Sequence, residues 1–302
     1  MFKSQKNRLG VLLSRSGIVL IAALIFTGVL TGASTANAQK KKDVGLQLYT
    51  LRELLPKDVK GTLQKVSQSG YSQVELYGFN IQNQFWGLKP IEIKKILDEY
   101  QLKPISGHFN MTPYFEDGNT AELKAAIDAA KILGLKYVTI PWIEPNRRNS
   151  AEDYKTIAKR LNYAGQLCKS AGLKLAYHNH DFEFIKYGNE TGWDILLKNT
   201  DKKLVNFELD IYWVIRSGLQ PYDLFKANPG RYVMWHIKDM DKTDQTLNAE
   251  VGSGTINYKD IFKQAKLSGM KYFFVEHESN YKPDMIGSIT QSCNYIKDQI
   301  LK

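Results

Sequence analysis

Residues 172–180 read Gly-Leu-Lys-Leu-Ala-Tyr-His-Asn-His. Upstream, residues 151–171 are amphipathic at helical spacing. Gly172 then stands where a helix ends in a left-handed cap. The run that follows is short, apolar and alternating, as a strand is, and it closes on two imidazoles. The same unit recurs along the chain. Strand-like runs begin near Val44, Ser72, Lys103, Lys136, Leu173, Leu204, Tyr232 and Lys271. Amphipathic segments separate them, among them residues 56–69, 91–100, 121–133 and 258–267. Gly70, Gly134 and Gly269 repeat the position of Gly172. Strand and helix alternating eight times predict a parallel sheet. Eight units in roughly 250 residues predict an α/β fold, a single closed (β/α)8 TIM barrel. An open doubly wound sheet would carry a glycine-rich turn after its first strand. Here that strand runs into Tyr49-Thr50-Leu51-Arg52.

Alternation assigns faces. In the fifth strand Ala176, His178 and His180 point into the barrel, and Leu175 and Tyr177 point out at the helices. In the sixth, Glu208 and Asp210 face in, and Phe207 and Leu209 face out. Met234, His236 and Lys238 face in from the seventh, and Phe274, Glu276 and Glu278 from the eighth. Glu75 on the second strand and His108 on the third also point inward. In this fold the chemistry sits at the C-terminal ends of the strands. His178, Asp210, His236 and Glu276 come from four successive strand ends. Two imidazoles and two carboxylates suit Mn²⁺, Co²⁺, Fe²⁺ or Zn²⁺, with Mg²⁺ also admissible, in a catalytic site with open positions. Taken singly, each residue has a plainer reading. Asp210 would cap the next segment, Glu276 would pair with Lys238, and His277, facing away, would only pack. Glu208, deeper in the barrel, has no role in this pattern.

The first 38 residues read as an export signal. Lys3, Lys6, Arg8 and Arg15 precede an apolar run from residue 18 to 30, and Ala36-Asn37-Ala38 is a small-x-small cleavage site. The run is shorter than the ~20 residues that span a membrane, so no stable span is expected after cleavage. The remaining residues, 39–302, are expected to form the barrel domain, exported to the periplasm or secreted. The signal's four positive charges take the net charge from +10 to +6. That excess is dispersed along helix-like segments, as on a solvated face rather than a nucleic-acid stripe. Cys168 and Cys293 show no metal spacing; a disulfide and two buried thiols both stay open. So does a homo-oligomer.

The runs GLQLYTLRE, GYSQVELYG, GHF, AYHNHDFEF, ELDIYW, HIKDMD, VGSGTINY and FVEHES resemble the sugar phosphate isomerase/epimerase family, within the xylose-isomerase-like barrels. The resemblance covers residues 43 to 301. It implies a divalent metal held at the ends of strands five to eight, here by His178, Asp210, His236 and Glu276. It further implies substrate contacts from Glu75, His108, His180 and Lys238. One position departs: epimerases of this kind carry Glu where this chain has His178, so their two-carboxylate proton exchange does not carry over. The pattern YHNH is closer to dehydratase-like branches and to exported bacterial members that cleave 3-keto-glycosides.

The expected first step is common to these branches. A metal polarises a carbonyl, a base removes the neighbouring proton, and the charge that develops is stabilised. His180 is the expected base, because imidazole titrates near working pH. Glu276 shares that role, and Lys238 holds the developing oxyanion. Aromatic residues near strand ends, Tyr49, Phe79, Trp86, Tyr114, Trp142 and Trp213, offer faces for a sugar ring; Trp142 and Trp213 are the expected substrate contacts. Export favours a neutral sugar, keto-sugar or glycoside. A metal-dependent isomerase or epimerase is the first reading. A 3-keto-glycoside lyase or hydrolase, or a dehydratase, is the second, and a non-catalytic sugar-binding barrel is the third.

Overall fold

In the computed structural model, which describes residues 43–302, eight parallel strands close into a barrel. They are β1 (Gly45–Gln47), β2 (Gln73–Leu76), β3 (Lys103–His108), β4 (Tyr137–Ile140), β5 (Lys174–His178), β6 (Val205–Asp210), β7 (Tyr232–Ile237) and β8 (Tyr272–Val275). Each pairs with its neighbours in chain order, and β8 pairs with β1 through Gly45 opposite Phe274. The proposed leader, residues 1–38, lies outside the described residues. Among the described residues, no helix is long and apolar enough to cross a membrane.

Eight helical connections wrap the barrel: α1 (Val59–Gln68), α2 (Pro90–Glu99), α3 (Ala121–Leu133), α4 (Ala151–Ser170), α5 (Gly192–Asn199), α6 (Pro221–Ala227), α7 (Tyr258–Phe262) and α8 (Met285–Tyr295). Local chemistry sets their ends. Asp58 caps α1 by accepting the Gly61 N–H, so that helix begins later than its apolar pattern does. The expected helix over 258–267 is instead two short pieces, α7 and a further turn at Ala265–Ser268. Gly134 and Gly269 close their helices at φ 74° and 86°, a conformation open to glycine.

The faces follow the alternation. Leu175, Tyr177, Phe207 and Leu209 join the large core between barrel and helices. Ile105, Tyr137, Ala176, Val233, Met234 and Phe274 fill the barrel interior and plug it from below. Everything polar and inward is therefore stacked above this plug. Two strands break register at that height: β6 between Phe207 and Glu208 against β7, and β2 between Val74 and Glu75 against β3. Cys168 and Cys293 are free and buried.

Candidate metal centre and active site

A cavity of about 420 Å³ opens over the C-terminal ends of the strands, within the range of small-molecule sites. Its floor is His108, His178, Lys238 and Glu276; its walls are aromatic, with Tyr49, Tyr77 and Phe79 on one side and Trp142 and His180 on the other. Glu278 stands at the rim.

The β5 end is held by its own loop. Glu183 accepts the Tyr177 hydroxyl at 2.7 Å and the His180 backbone N–H at 2.9 Å. Asn179 accepts the Asp210 N–H at 3.0 Å, tying β5 to β6. The His180 ring lies flat against Phe182 (5.4 Å, 11°) and edge-on to Trp142 (5.1 Å, 90°). Burial, and then the Lys238 charge, push His180 down to about 3, so its imidazole is neutral and does not titrate near working pH, the ground on which it was expected as the base. What recommends it is its position at the cavity. Its Nδ1 has no hydrogen-bond partner.

Lys238 is the buried cation of the site. Its Nζ lies 2.6 Å from Glu278 Oε2, 2.8 Å from Glu276 Oε2 and 3.1 Å from Asp210 Oδ2. Burial opposes its charge, but the three carboxylates outweigh it and hold the ammonium well above its ordinary range. Burial opposes the Glu276 charge as well, and Lys238 and His236 reverse that, keeping it ionised. Asp210 divides its two oxygens. Oδ1 caps the next helix through the Trp213 N–H (3.2 Å), while Oδ2 is too poorly aligned with Nζ to form a hydrogen bond. The plain readings of Asp210 and Glu276 are thus both present in the geometry.

Two donor sets among the described residues have the spacing to hold a metal, and His236 is in both: Asp210, His236 and Glu276 above, and His108, His178, Glu208 and His236 below. The four residues expected to act together are therefore divided, with His178 in the lower set and Asp210 and Glu276 in the upper. Orphaned buried atoms fit a cation here: His178 Nδ1, Asp210 Oδ2, Glu208 Oε1 and Glu75 Oε1 have no hydrogen-bond partner. Glu208 now has a place. It accepts from His108 Nε2 at 2.8 Å, and burial, then the nearby Glu75, push it up to about 7. The sequence carried a signal for this, since Glu208 shares the inward phase of Asp210. It could not show which imidazoles cross the barrel to meet it.

Two expected substrate contacts need correction. Glu75 is fully enclosed beneath the cavity floor and does not line it. Its Oε2 accepts from His236 Nε2 at 2.6 Å and Gln47 Nε2 at 2.8 Å, which makes it a positioning carboxylate. Trp213 stands behind Lys238 and His180, with ring distances of 5.6 and 5.7 Å, and is not part of the cavity wall. Trp142 and His108 do face the cavity. Trp86 packs behind Tyr77, and Tyr114 is buried with its hydroxyl donating to Arg160. His277 stacks on Tyr281 at 4.8 Å, outside the site. The Gly252–Gly254 turn is pinned by Asp239, which accepts the N–H groups of Gly252, Gly254 and Ile256.

Glu183 gives a pH test of this scaffold. Burial lifts its carboxyl from an ordinary 4.5 to about 7, against the two donors that favour its charge. Between those values the folded protein keeps a proton that the unfolded chain has lost. Stability therefore falls as pH rises through that window, by roughly 3 kcal/mol at most. Denaturant midpoints of the wild type and Glu183→Gln from pH 4 to 8 should diverge, with the variant flatter. Parallel curves would refute the shift.

The comparisons agree with the architecture. The model of the xylose isomerase-like TIM barrel family matches residues 63–299. An inosose dehydratase of Clostridium perfringens is 28% identical over 146 residues, 43% of this chain and 48% of the relative, so that match spans about half the relative's length. An inosose dehydratase of Clostridium botulinum is 27% identical over 204 residues, 57% of this chain and 67% of the relative. The crystal structure of a sugar phosphate isomerase/epimerase from Parabacteroides distasonis superposes with a TM-score of 0.77 at 27% identity, covering 88% of this chain and 98% of that one. With the family model matching most of this chain and the eight strands closed into a barrel, the chain belongs to the xylose isomerase-like TIM barrel family.

Proposed function

We propose that the protein is a metal-dependent enzyme that removes a proton beside the carbonyl of a neutral keto-sugar or keto-polyol and then expels a β-substituent. The observation that carries this is the placement of acids at the cavity. The two carboxylates that reach it, Glu276 and Glu278, both come from the end of β8 and share one ammonium. Epimerisation by two carboxylates needs them on opposite faces of the substrate; elimination needs one base and a route for the leaving group. The dehydratase names of the relatives support the same choice. Isomerisation through the same intermediate is the second reading, supported by the isomerase/epimerase name of the superposed structure.

The chain's own residues divide the work. His180, neutral and facing the cavity, accepts the α-proton. The electron pair moves onto the carbonyl oxygen, where Lys238 stabilises it. When the enolate collapses, the β C–O bond breaks and the leaving oxygen takes the proton held by His180, which restores the neutral base. Trp142 and Tyr49 flank the ring. A divalent cation at the donor sets above would supply Lewis-acid polarisation of the carbonyl. Among the lining residues Lys238, the one lysine or arginine, is already engaged by three carboxylates, and His108 is paired with Glu75 and Glu208. That leaves little to bind a phosphate and supports an uncharged substrate, as does the export signal read in residues 1–38. We place the enzyme outside the cytoplasm on that signal.

The test is turnover of keto-inositols and 3-keto-glycosides, with products read by mass. Chelation should reduce the rate at least ~100-fold, with recovery on adding Mn²⁺, Co²⁺ or Zn²⁺. Loss of water or of an aglycone is the expected product signature. A product of unchanged mass would favour the isomerase. Binding without turnover, surviving in His180→Ala, would leave a sugar-binding barrel.

A further inference from the structure

We propose that the N-terminal mouth of the barrel, at the opposite end from the cavity, binds a phosphate group between the ammonium groups of Lys103, Lys136 and Lys174 and the hydroxyl of Tyr272. The site is independent of the reaction proposed above.

The strand pattern gathers the cations. Lys103 and Lys174 are the first residues of β3 and β5. Each stands two positions before a residue of the barrel interior, Ile105 and Ala176, so alternation directs both toward the axis. β4 lies between them and pairs with both strands. Neighbouring strands are roughly 4.8 Å apart, so the two lysines start about 10 Å apart, within the combined reach of their side chains. Lys136, immediately before β4, turns under the barrel. Its Nζ donates to the hydroxyl of Tyr272 on β8 and lies 4.9 Å from that ring's centre. β4 and β8 stand on opposite sides of the closed sheet, so this side chain crosses the mouth.

The surface beneath the cations does not neutralise them. Tyr137 and Tyr272 close the barrel here with ring centres 6.2 Å apart, and the Lys174 ammonium lies 5.6 Å from the centre of Tyr137. An aromatic face holds a cation in place and leaves its charge whole. All three lysines are exposed, and none makes an ion pair among the described residues. In the same inward phase β2 and β6 bring only the neutral Gln73 and Asn206. Asp43, ahead of β1, already accepts the Ser72 hydroxyl at 2.8 Å. Lys238 at the other mouth, with three carboxylates around it, is the contrast. A helix dipole accounts for cations in the last turn of a helix. Lys103 and Lys174 begin strands, where no such dipole asks for them. Like charges gathered at one mouth repel one another, and a bound anion relieves that.

The donors select the anion. Three ammonium groups and a hydroxyl approach from both sides of the mouth. A carboxylate presents two oxygens, whereas a phosphate presents three or four and up to two charges, enough to meet all of them. Lysine binds phosphate as a point charge and needs no fixed fork. A free phosphate ester and an anionic phospholipid headgroup both carry this chemistry.

The full chain is titrated with inorganic phosphate at constant ionic strength, reading heat. It is also floated with vesicles of phosphatidylglycerol or of phosphatidylcholine. Any contribution of residues 1–38 is then common to every variant. Lys103→Gln combined with Lys174→Gln should weaken the observed binding roughly 10-fold or more, because two charged hydrogen bonds are lost. The cavity is untouched by these changes, so the loss maps binding to this end. Lys57→Gln combined with Lys186→Gln, both exposed and away from this mouth, should bind within twofold of the wild type. Melting temperatures confirm folding, and Lys136→Gln replaces a variant that does not fold. Binding of inorganic phosphate supports the site with a free ester as its ligand. Flotation with phosphatidylglycerol alone supports it with a membrane headgroup. Binding of neither, binding that survives in the Lys103 and Lys174 variant, or an equal loss in the Lys57 and Lys186 variant overturns it.

Discussion

Lys238→Met is expected to destabilise the folded protein by about 3–5 kcal/mol, the cost of removing one partner from a buried charge cluster. The ammonium lies 2.6 to 3.1 Å from three carboxylates. Methionine matches its length and brings no charge. Asp210 and Glu276 would be left buried without the ammonium that favours their charge, with His236 as their nearest remaining partner, whereas Glu278, at the rim, turns to solvent. The effect should be read as a shift in the denaturant midpoint at neutral pH. Adding Asp210→Asn to Lys238→Met should recover part of the loss, because one orphaned charge is then gone, and the double-mutant cycle measures that coupling. Turnover should fall as well, by roughly 10²–10³, since the oxyanion loses its donor. A variant within 1 kcal/mol of the wild type would mean that the cluster is neutralised some other way.

The strands were legible because the rules that write them are local. A parallel barrel strand is buried on both faces and reads as a short apolar run, and a glycine cap marks the helix before it. Val44, Lys136, Leu173 and Lys271 each fall one residue before the observed starts of β1, β4, β5 and β8. The short hairpins above the barrel were not legible. Phe79–Asn80 with Gln84–Phe85, and Asp239–Met240 with Asn248–Ala249, are two-residue pairings inside polar loops. Nothing at that length carries a periodicity.

The site was legible as a direction but not as a set of contacts. Strand phase put Glu208, Asp210, His236, Lys238 and Glu276 inside the barrel. Which of them meet depends on register between strands far apart in sequence. His108 and Glu208 are 100 residues apart, and Glu75 and His236 are 161 apart. A register break beside each acid adds a shift that no alternation rule contains. Glu75 shows the consequence. Its inward phase was right, yet one layer of depth separates a residue that touches substrate from one that orients a histidine. Trp213 failed for another reason. It lies beyond the strand, on the helix Ile211–Arg216 that Asp210 caps, and helical geometry turns its ring behind Lys238.

His180→Ala is expected to lower turnover by roughly 10²–10⁴, the usual range for a general base, while leaving Co²⁺ binding and its spectrum unchanged. The ring is fixed by Phe182, Trp142 and the Glu183 clamp on its own backbone N–H. Removing it leaves that clamp in place, because Glu183 holds the main chain and not the imidazole. Fold, cavity walls and the donors below should therefore persist. Proton transfer is separable from the rest of the reaction by exchange of the substrate's α-hydrogen with solvent deuterium, followed by NMR. The wild type should exchange it, and the alanine variant should not within the same time. A base acts on that hydrogen whether or not a leaving group departs, so the loss is expected for elimination and isomerisation alike. Exchange at the wild-type rate in His180→Ala would remove this residue from the chemistry. The base would then have to be Glu276, the remaining cavity-facing acceptor expected for that role, and its charge is tied to Lys238.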